Sequence, residues 1–113
     1  MPKPSAIAIG AHPDDIEFYM AGTLLQLQTA GWEIHYFNLS SGNLGGIKMS
    51  SEKTARTRAK EARQAARVLG ATYYPSIGRD LEILYTVPAL RKVAAAIRKS
   101  KASIVLTHSP VDY

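Results

Sequence analysis

The sequence predicts an α/β fold, with a parallel sheet that carries helices on both faces in the order β-α-β-α-β-α-β. Apolar, strand-like runs alternate with helix-length amphipathic segments, which is the pattern of parallel strands joined by right-handed crossovers. The first and last runs, residues 5–10 and 103–107, lack polar alternation, as strands covered on both faces do. We therefore expect the first half of a doubly wound fold.

The first half of the chain contains two predicted strands and the helix between them. Residues 5–10 form the first strand, and residues 32–39, rich in β-branched and aromatic side chains, form the second. Residues 16–30 between them read as one helix, because apolar side chains recur every three or four positions. Gly22 lies inside that helix, where we expect close packing against the sheet to offset its cost.

The second half contains two more helices and two more strands. Ser50 or Ser51 can cap a helix that runs to about residue 69 with an alanine-rich apolar stripe. A short strand comes next at 72–77, and a helix at 87–101 has Pro88 in its first turn, where a missing N–H is harmless. The last strand, 103–107, should pair with the first and leave an exposed sheet edge, so we expect a homo-oligomer or association through that edge.

Composition excludes several classes of protein. The 113 residues contain no cysteine, which rules out disulfides and thiolate metal sites. No segment has the length of a membrane span or the apolar stretch of a signal peptide, so we expect a cytoplasmic protein with no membrane span. The net charge of +5 comes mostly from two helical stretches that lack the interleaved aromatic residues of a nucleic-acid surface, so we expect no nucleic-acid partner.

The strongest chemical signal is the segment 11–15, Ala-His-Pro-Asp-Asp, at the end of the first strand. Open α/β sheets place their ligands at such strand ends. His12 and Asp15, three residues apart across a turn, can converge on a metal ion, and zinc takes both ligand types. Asp14 would lie beside the metal and could accept a proton from water. Alternatively, the aspartates only cap the next helix.

These residues resemble the PIG-L/LmbE-like family of zinc-dependent N-deacetylases. The resemblance rests on segment 11–15, on Glu17, on Ala-Gly-Thr-Leu at 21–24, and on Arg58 and Glu61 in the pattern R-x-x-E. It implies a Rossmann-like fold and removal of an acetyl group from an N-acetylglucosamine-type substrate, with Zn²⁺ or another divalent metal as cofactor. By the same resemblance His12 and Asp15 are metal ligands, Asp14 is the general base and Arg58 shapes the substrate pocket.

The resemblance also concerns the segment after the last strand. In the family a His-Pro-Asp-His motif stands there, and its last histidine is the third zinc ligand. This sequence ends at Tyr113, before that motif. We therefore expect residues 1–113 to be a single domain truncated at its C-terminus, with weak zinc affinity and little activity in isolation. His108 and Asp112 are expected to support the site from outside the metal's own ligands, or to be structural.

Two further residues are candidates for substrate contact. Gly42 belongs to a glycine-rich loop after the second strand, which is either a flexible rim of a sugar pocket or an ordinary solvent loop. Asp80 comes after the third strand and is either a pocket residue or a turn residue. The alternative to a deacetylase is a non-catalytic, Rossmann-like module that binds small molecules.

Overall fold

The fold is a four-stranded parallel sheet with helices on both faces, as the sequence predicts. The computed structural model describes residues 3–44, 50–80, 83 and 85–109. The strands are β1 (Ser5–Gly10), β2 (Glu33–Asn38), β3 (Thr72–Tyr74) and β4 (Ile104–Leu106). They lie in the order β3-β2-β1-β4, and each neighbouring pair is parallel. Strand β4 therefore pairs with β1 at an edge of the described sheet, as expected.

The third strand is shorter than predicted. It ends at Tyr74 rather than at residue 77, because Pro75 has no N–H to continue the ladder. The chain after it still runs beside the end of β2, since Ile77 donates its backbone N–H to the Leu39 carbonyl oxygen at 3.0 Å. This pairing carries Asp80 to the same edge of the sheet as the end of β1.

Four helices connect the strands: α1 (Asp15–Tyr19), α2 (Ala21–Thr29), α3 (Ser51–Val68) and α4 (Val87–Ser100). Ser50 caps α3 by accepting a hydrogen bond from the Lys53 backbone N–H at 3.2 Å. The prediction of one helix over 16–30 was wrong, because the backbone leaves helical geometry at Met20, with φ −127° and ψ −14°. Ile16, Met20 and Leu24 are nevertheless all buried, so the apolar spacing marked the buried face correctly.

The expected close packing of Gly22 was also wrong. A Cβ atom at Gly22 would meet nothing within 4 Å. The tightly packed glycine is Gly10 at the end of β1, where a Cβ would lie 2.9 Å from the Asn38 Oδ1 and 3.1 Å from the Ile16 side chain. The packing therefore requires a residue without a Cβ at Gly10, at the end of β1, and not at Gly22 in the helix.

The two faces of the sheet have separate cores. The first face carries Ala6, Ala8 and Tyr36, and is covered by helices α1, α2 and α3. The second face carries Ile7, Ile9 and Phe37, and is covered by α4. Alternation along each strand sends successive side chains to opposite faces, so both cores are built from the same short strands.

Candidate active site

The motif 11–15 forms the turn between β1 and α1 at the carboxyl end of the sheet. Asp14 has a left-handed backbone, with φ 81°, which aspartate tolerates better than most residues. It stands at the N-cap position of α1, yet its side chain makes no capping hydrogen bond. Its Oδ2 instead lies 2.8 Å from the Arg58 Nη1. The interpretation of Asp14 as a helix cap is therefore wrong.

The two predicted metal ligands are neighbours in this turn. The Asp15 Oδ2 accepts a hydrogen bond from the His12 backbone N–H at 2.9 Å and lies 3.7 Å from the His12 Nδ1. His108, at the end of β4, brings its Nε2 to 3.4 Å from the same carboxylate oxygen. A carboxylate and two imidazoles thus meet where β1 and β4 end.

This donor set has the chemistry of a divalent-metal site, since imidazole nitrogen and carboxylate oxygen both suit zinc. His12 and Asp15 fit two positions of such a site, and the His12 side chain is 53% exposed and so accessible. Within the described ranges, no three His, Asp or Glu side chains converge on a single metal position. In the tautomer that carries the proton on Nε2, His108 can donate to the Asp15 carboxylate and orient it. In the other tautomer the same nitrogen accepts the Ala11 backbone N–H at 3.4 Å.

Arg58 joins the motif to helix α3. Its Nη1 contacts Asp14 and lies 3.6 Å from the Glu61 Oε2, one turn along the same helix. The pattern R-x-x-E at 58–61 therefore places one arginine between two carboxylates. In the sequence, only the family resemblance singles out Arg58 among the basic residues of α3, and the structure adds a physical reason in its contact with Asp14.

A hydrogen-bonded group behind Asp14 was not predicted from the sequence. The Tyr36 hydroxyl donates to the Glu17 carboxylate, and the Asn38 Nδ2 donates to the Tyr36 hydroxyl at 3.4 Å. Burial raises the pKa of Glu17, the hydrogen bond from Tyr36 opposes that rise, and the negative charge of Asp14 adds to it. Burial also raises the pKa of Tyr36. The only signal in the sequence was the placement of two polar side chains in the last three residues of a buried strand.

Asp80 organises the loop after β2. Its carboxylate accepts hydrogen bonds from the Gly42 and Leu44 backbone N–H groups, both at 2.9 Å, and from the Ser40 hydroxyl at 2.9 Å. Burial favours the neutral acid, but these hydrogen bonds outweigh it and hold the pKa of Asp80 below its ordinary value. Asp80 Oδ1 also lies 4.0 Å from the His12 Nε2.

Gly42 has a backbone that favours glycine, with φ 72°, and it packs against the motif. A Cβ atom there would lie 3.0 Å from the Pro13 ring and 3.3 Å from the Arg58 side chain. The loop therefore touches the site through Gly42 and Asp80, whose roles in substrate contact stay predictions. Asp112 lies outside the described residues. A cavity of about 210 Å³ opens beside His12 and is lined by Ala11, His12, Leu39, Ser40 and Ile83.

The chain belongs to the PIG-L family. The family described as GlcNAc-PI de-N-acetylase matches residues 7–113, which is nearly the whole chain. The fold, the strand-end motif and the R-x-x-E pairing described above therefore belong to a PIG-L domain. Among the described residues, no helix is long and apolar enough to cross a membrane.

Particular relatives divide between two activities. A 4-oxalmesaconate hydratase of Pseudomonas putida KT2440 is 29% identical over 98% of this chain and 46% of its own length. The crystal structure of a 4-carboxy-2-hydroxymuconate hydratase from the same strain has a TM-score of 0.84 at 27% identity, over 97% of this chain and 50% of its own. The N,N'-diacetylchitobiose deacetylase of Pyrococcus horikoshii has a TM-score of 0.83 at 30% identity, over 89% of this chain and 39% of its own. The chain thus spans half or less of the length of these relatives.

Proposed function

We propose that this protein is a metal-dependent N-deacetylase that hydrolyses the acetamide of an N-acetylglucosamine-type substrate. The observation that carries the proposal is the position of Asp14. Its side chain leaves the helix cap unfilled and is held by Arg58, directly beside the His12–Asp15 turn. Membership of the PIG-L family and the likeness to a diacetylchitobiose deacetylase support the same reaction.

His12 and Asp15 would hold the metal ion, which we propose is zinc. Bound there, zinc supplies Lewis acidity that polarises an acetyl carbonyl and makes water easier to deprotonate. His108 contacts Asp15 and so fixes the orientation of that carboxylate, as groups behind a metal ligand commonly do.

In the proposed reaction Asp14 is the general base. One of its oxygens faces Arg58, which keeps the carboxylate in a single orientation close to the turn. Asp14 accepts a proton from the attacking water and returns it to the nitrogen as the C–N bond of the acetamide breaks, which gives acetate and a free amine. Arg58 is 32% exposed, so its guanidinium can also face a polar group of the substrate.

The proposal is tested by zinc calorimetry and an acetate-release assay on the same preparation of the full-length protein. We expect Asp15→Asn to weaken zinc binding by about 10-fold or more and to abolish acetate release. Glu52→Gln, an exposed acidic residue on α3, is the matched control and should leave both unchanged. Zinc affinity that is equal in the Asp15 variant and in the wild type would contradict the metal assignment and favour a non-catalytic binding module.

A second candidate is hydration of an unsaturated acid, favoured by the hydratase matches in sequence and in structure. Both reactions need water activated next to an electrophilic carbon, so the same His12, Asp14 and Asp15 would serve either one. Assays with N-acetylglucosamine and with 4-carboxy-2-hydroxymuconate distinguish them. Acetate release from the first supports the deacetylase, and consumption of the second without acetate release supports the hydratase.

A further inference from the structure

A second cavity lies on the first face of the sheet, between helix α3 and the carboxyl ends of β2 and β3. Its volume is about 280 Å³. Small side chains of α3, Ala55, Ala59 and Ala62, form its floor and leave the space open. Pro13 forms part of its wall, and Pro13 lies between His12 and Asp14. The cavity therefore adjoins the candidate active site but uses none of the residues assigned a catalytic or metal-binding role.

Two arginines border this cavity. Arg56 and Arg63 are seven residues apart on α3, so they lie on the same side of the helix, about 10 Å apart along its axis. None of the described residues that line the cavity is Asp or Glu. Across the described ranges, no carboxylate forms an ion pair with either guanidinium, whereas Arg58 on the same helix faces two. Arg63 lies over the Tyr73 ring, 5.8 Å from its centroid, which favours a fixed position for its positive charge.

We propose that this cavity binds an oxyanion, a phosphate or a carboxylate of a ligand, through Arg56 and Arg63. Arginine matches both groups, since its planar fork can donate two parallel hydrogen bonds to either one. This inference rests on the proposed function in one respect, because it takes the ligand to be the deacetylase substrate. The anionic substituent of that substrate lies in the cavity, and its acetamide lies at the His12–Asp15 turn. The cavity would thereby select acidic substrates over neutral ones.

Binding is tested without reference to catalysis by titrating the protein with inorganic phosphate and, separately, with malonate. Amide chemical shifts give the position and the dissociation constant. We expect shifts in residues 55–63 and 73–76. The double variant Arg56→Gln/Arg63→Gln should weaken binding by about 100-fold or more, because each lost charge-assisted hydrogen bond costs about 10-fold or more. The control double variant Arg91→Gln/Arg98→Gln removes the same charge from α4 and should bind as the wild type does.

A cavity-filling variant provides an independent check. Ala59→Leu keeps every charge but occupies the floor of the cavity, so it should also abolish the phosphate shifts. Equal weakening in both arginine pairs would overturn the proposal and indicate nonspecific attraction to a basic surface. Retained binding in Ala59→Leu would overturn it as well.

Competition with sugars separates this proposal from the proposed function. N-acetylglucosamine 6-phosphate should displace phosphate from the cavity, and neutral N-acetylglucosamine should not. If phosphate binds as expected but neither sugar releases acetate, the cavity is supported and the deacetylase is contradicted. If acetate is released equally well from both sugars by the wild type and by the Arg56/Arg63 variant, the deacetylase stands and the role of the cavity in substrate selection is overturned.

Discussion

Two clusters in this protein contain a histidine and a carboxylate, and they differ in their place on the sheet. The strand-end cluster is His12, Asp14, Asp15 and Arg58, in the turn after β1. The inner cluster is His35, Glu33 and Tyr74, within β2 and β3. The His12 side chain is 53% exposed and the His35 side chain 6%. The histidine is therefore open to a ligand at the first place and enclosed at the second.

The inner cluster holds two neighbouring strands together on the second face of the sheet. The Tyr74 hydroxyl and the His35 Nδ1 are hydrogen-bonded at 2.9 Å, and the His35 Nε2 lies 3.3 Å from the Glu33 Oε1. Burial lowers the pKa of His35, and the nearby Glu33 carboxylate opposes that shift. At the strand ends, by contrast, the side chains lie at the solvent edge. Position on the sheet, more than residue type, separates an enclosed histidine from an exposed one.

The largest expected difference comes from Asp14→Asn. Loss of a general base typically lowers the rate by roughly 10²- to 10⁴-fold, so we expect acetate release to fall by about 10³-fold. Stability should change by less than about 1 kcal/mol, because the Asp14–Arg58 pair is partly exposed and asparagine tolerates a left-handed backbone. Steady-state kinetics and thermal unfolding on the same samples check both. Activity within a few-fold of the wild type would remove Asp14 from the proposed mechanism.

Gly42→Ala tests how the loop supports the strand-end cluster. A left-handed alanine costs about 1–2 kcal/mol, and its Cβ would also press on Pro13 and Arg58. Gly31→Ala is the matched control, since Gly31 has φ 93° but a Cβ there meets nothing within 4 Å. Urea unfolding should show a lower free energy of unfolding in both variants, with the larger decrease in Gly42→Ala. Only the Gly42 variant should also lower activity, and an equal effect on activity at both positions would contradict this contact.

Tyr74→Phe breaks the inner cluster alone. It leaves the buried His35 Nδ1 without its hydroxyl partner, which should cost about 1 kcal/mol. Tyr73→Phe, on the other face of the same strand, is the control, because the Tyr73 hydroxyl makes no hydrogen bond to a described residue. Activity should be unchanged in both variants. A Tyr74 variant as stable as the Tyr73 variant would show that the hydrogen bond makes no net contribution to the free energy of unfolding.

The smallest expected effect is the contribution of His35 to the pH dependence of the free energy of unfolding. Its folded pKa lies below the unfolded value of about 6.5, so the unfolded state binds the proton more tightly. The contribution of His35 to stability is complete above that pH and is lost as the pH falls through its folded pKa. Thermal unfolding from about pH 8 down to about pH 5 should show a decline that is shallower in His35→Gln. Identical pH profiles would contradict this assignment.

The site was only partly predictable from its local pattern. His12, Asp14 and Asp15 stand together in the sequence, so a strand end next to a helix start was enough to pick them out. Tyr36 and Asn38 were missed because their neighbours are distant in sequence. Tyr36 meets Glu17 of the covering helix α1, and Asn38 meets Gly10 of the adjacent strand β1. No local sequence pattern distinguishes Arg58 from the basic residues around it. Apart from the family resemblance, only the packing of α3 against the turn distinguishes it.

Local sequence patterns were sufficient for the parallel α/β order, the limits of most elements and the strand-end motif, because these depend on apolar spacing, capping residues and turn residues within a few positions. They misjudged the helix after β1, where tertiary packing breaks the backbone at Met20 while burying the same side chains. Tertiary contacts alone establish that Asp14 faces Arg58 and does not cap α1, and that Asp80 holds the loop of Gly42. Those contacts join residues 38 to 44 positions apart, and no local propensity encodes a distance of that kind.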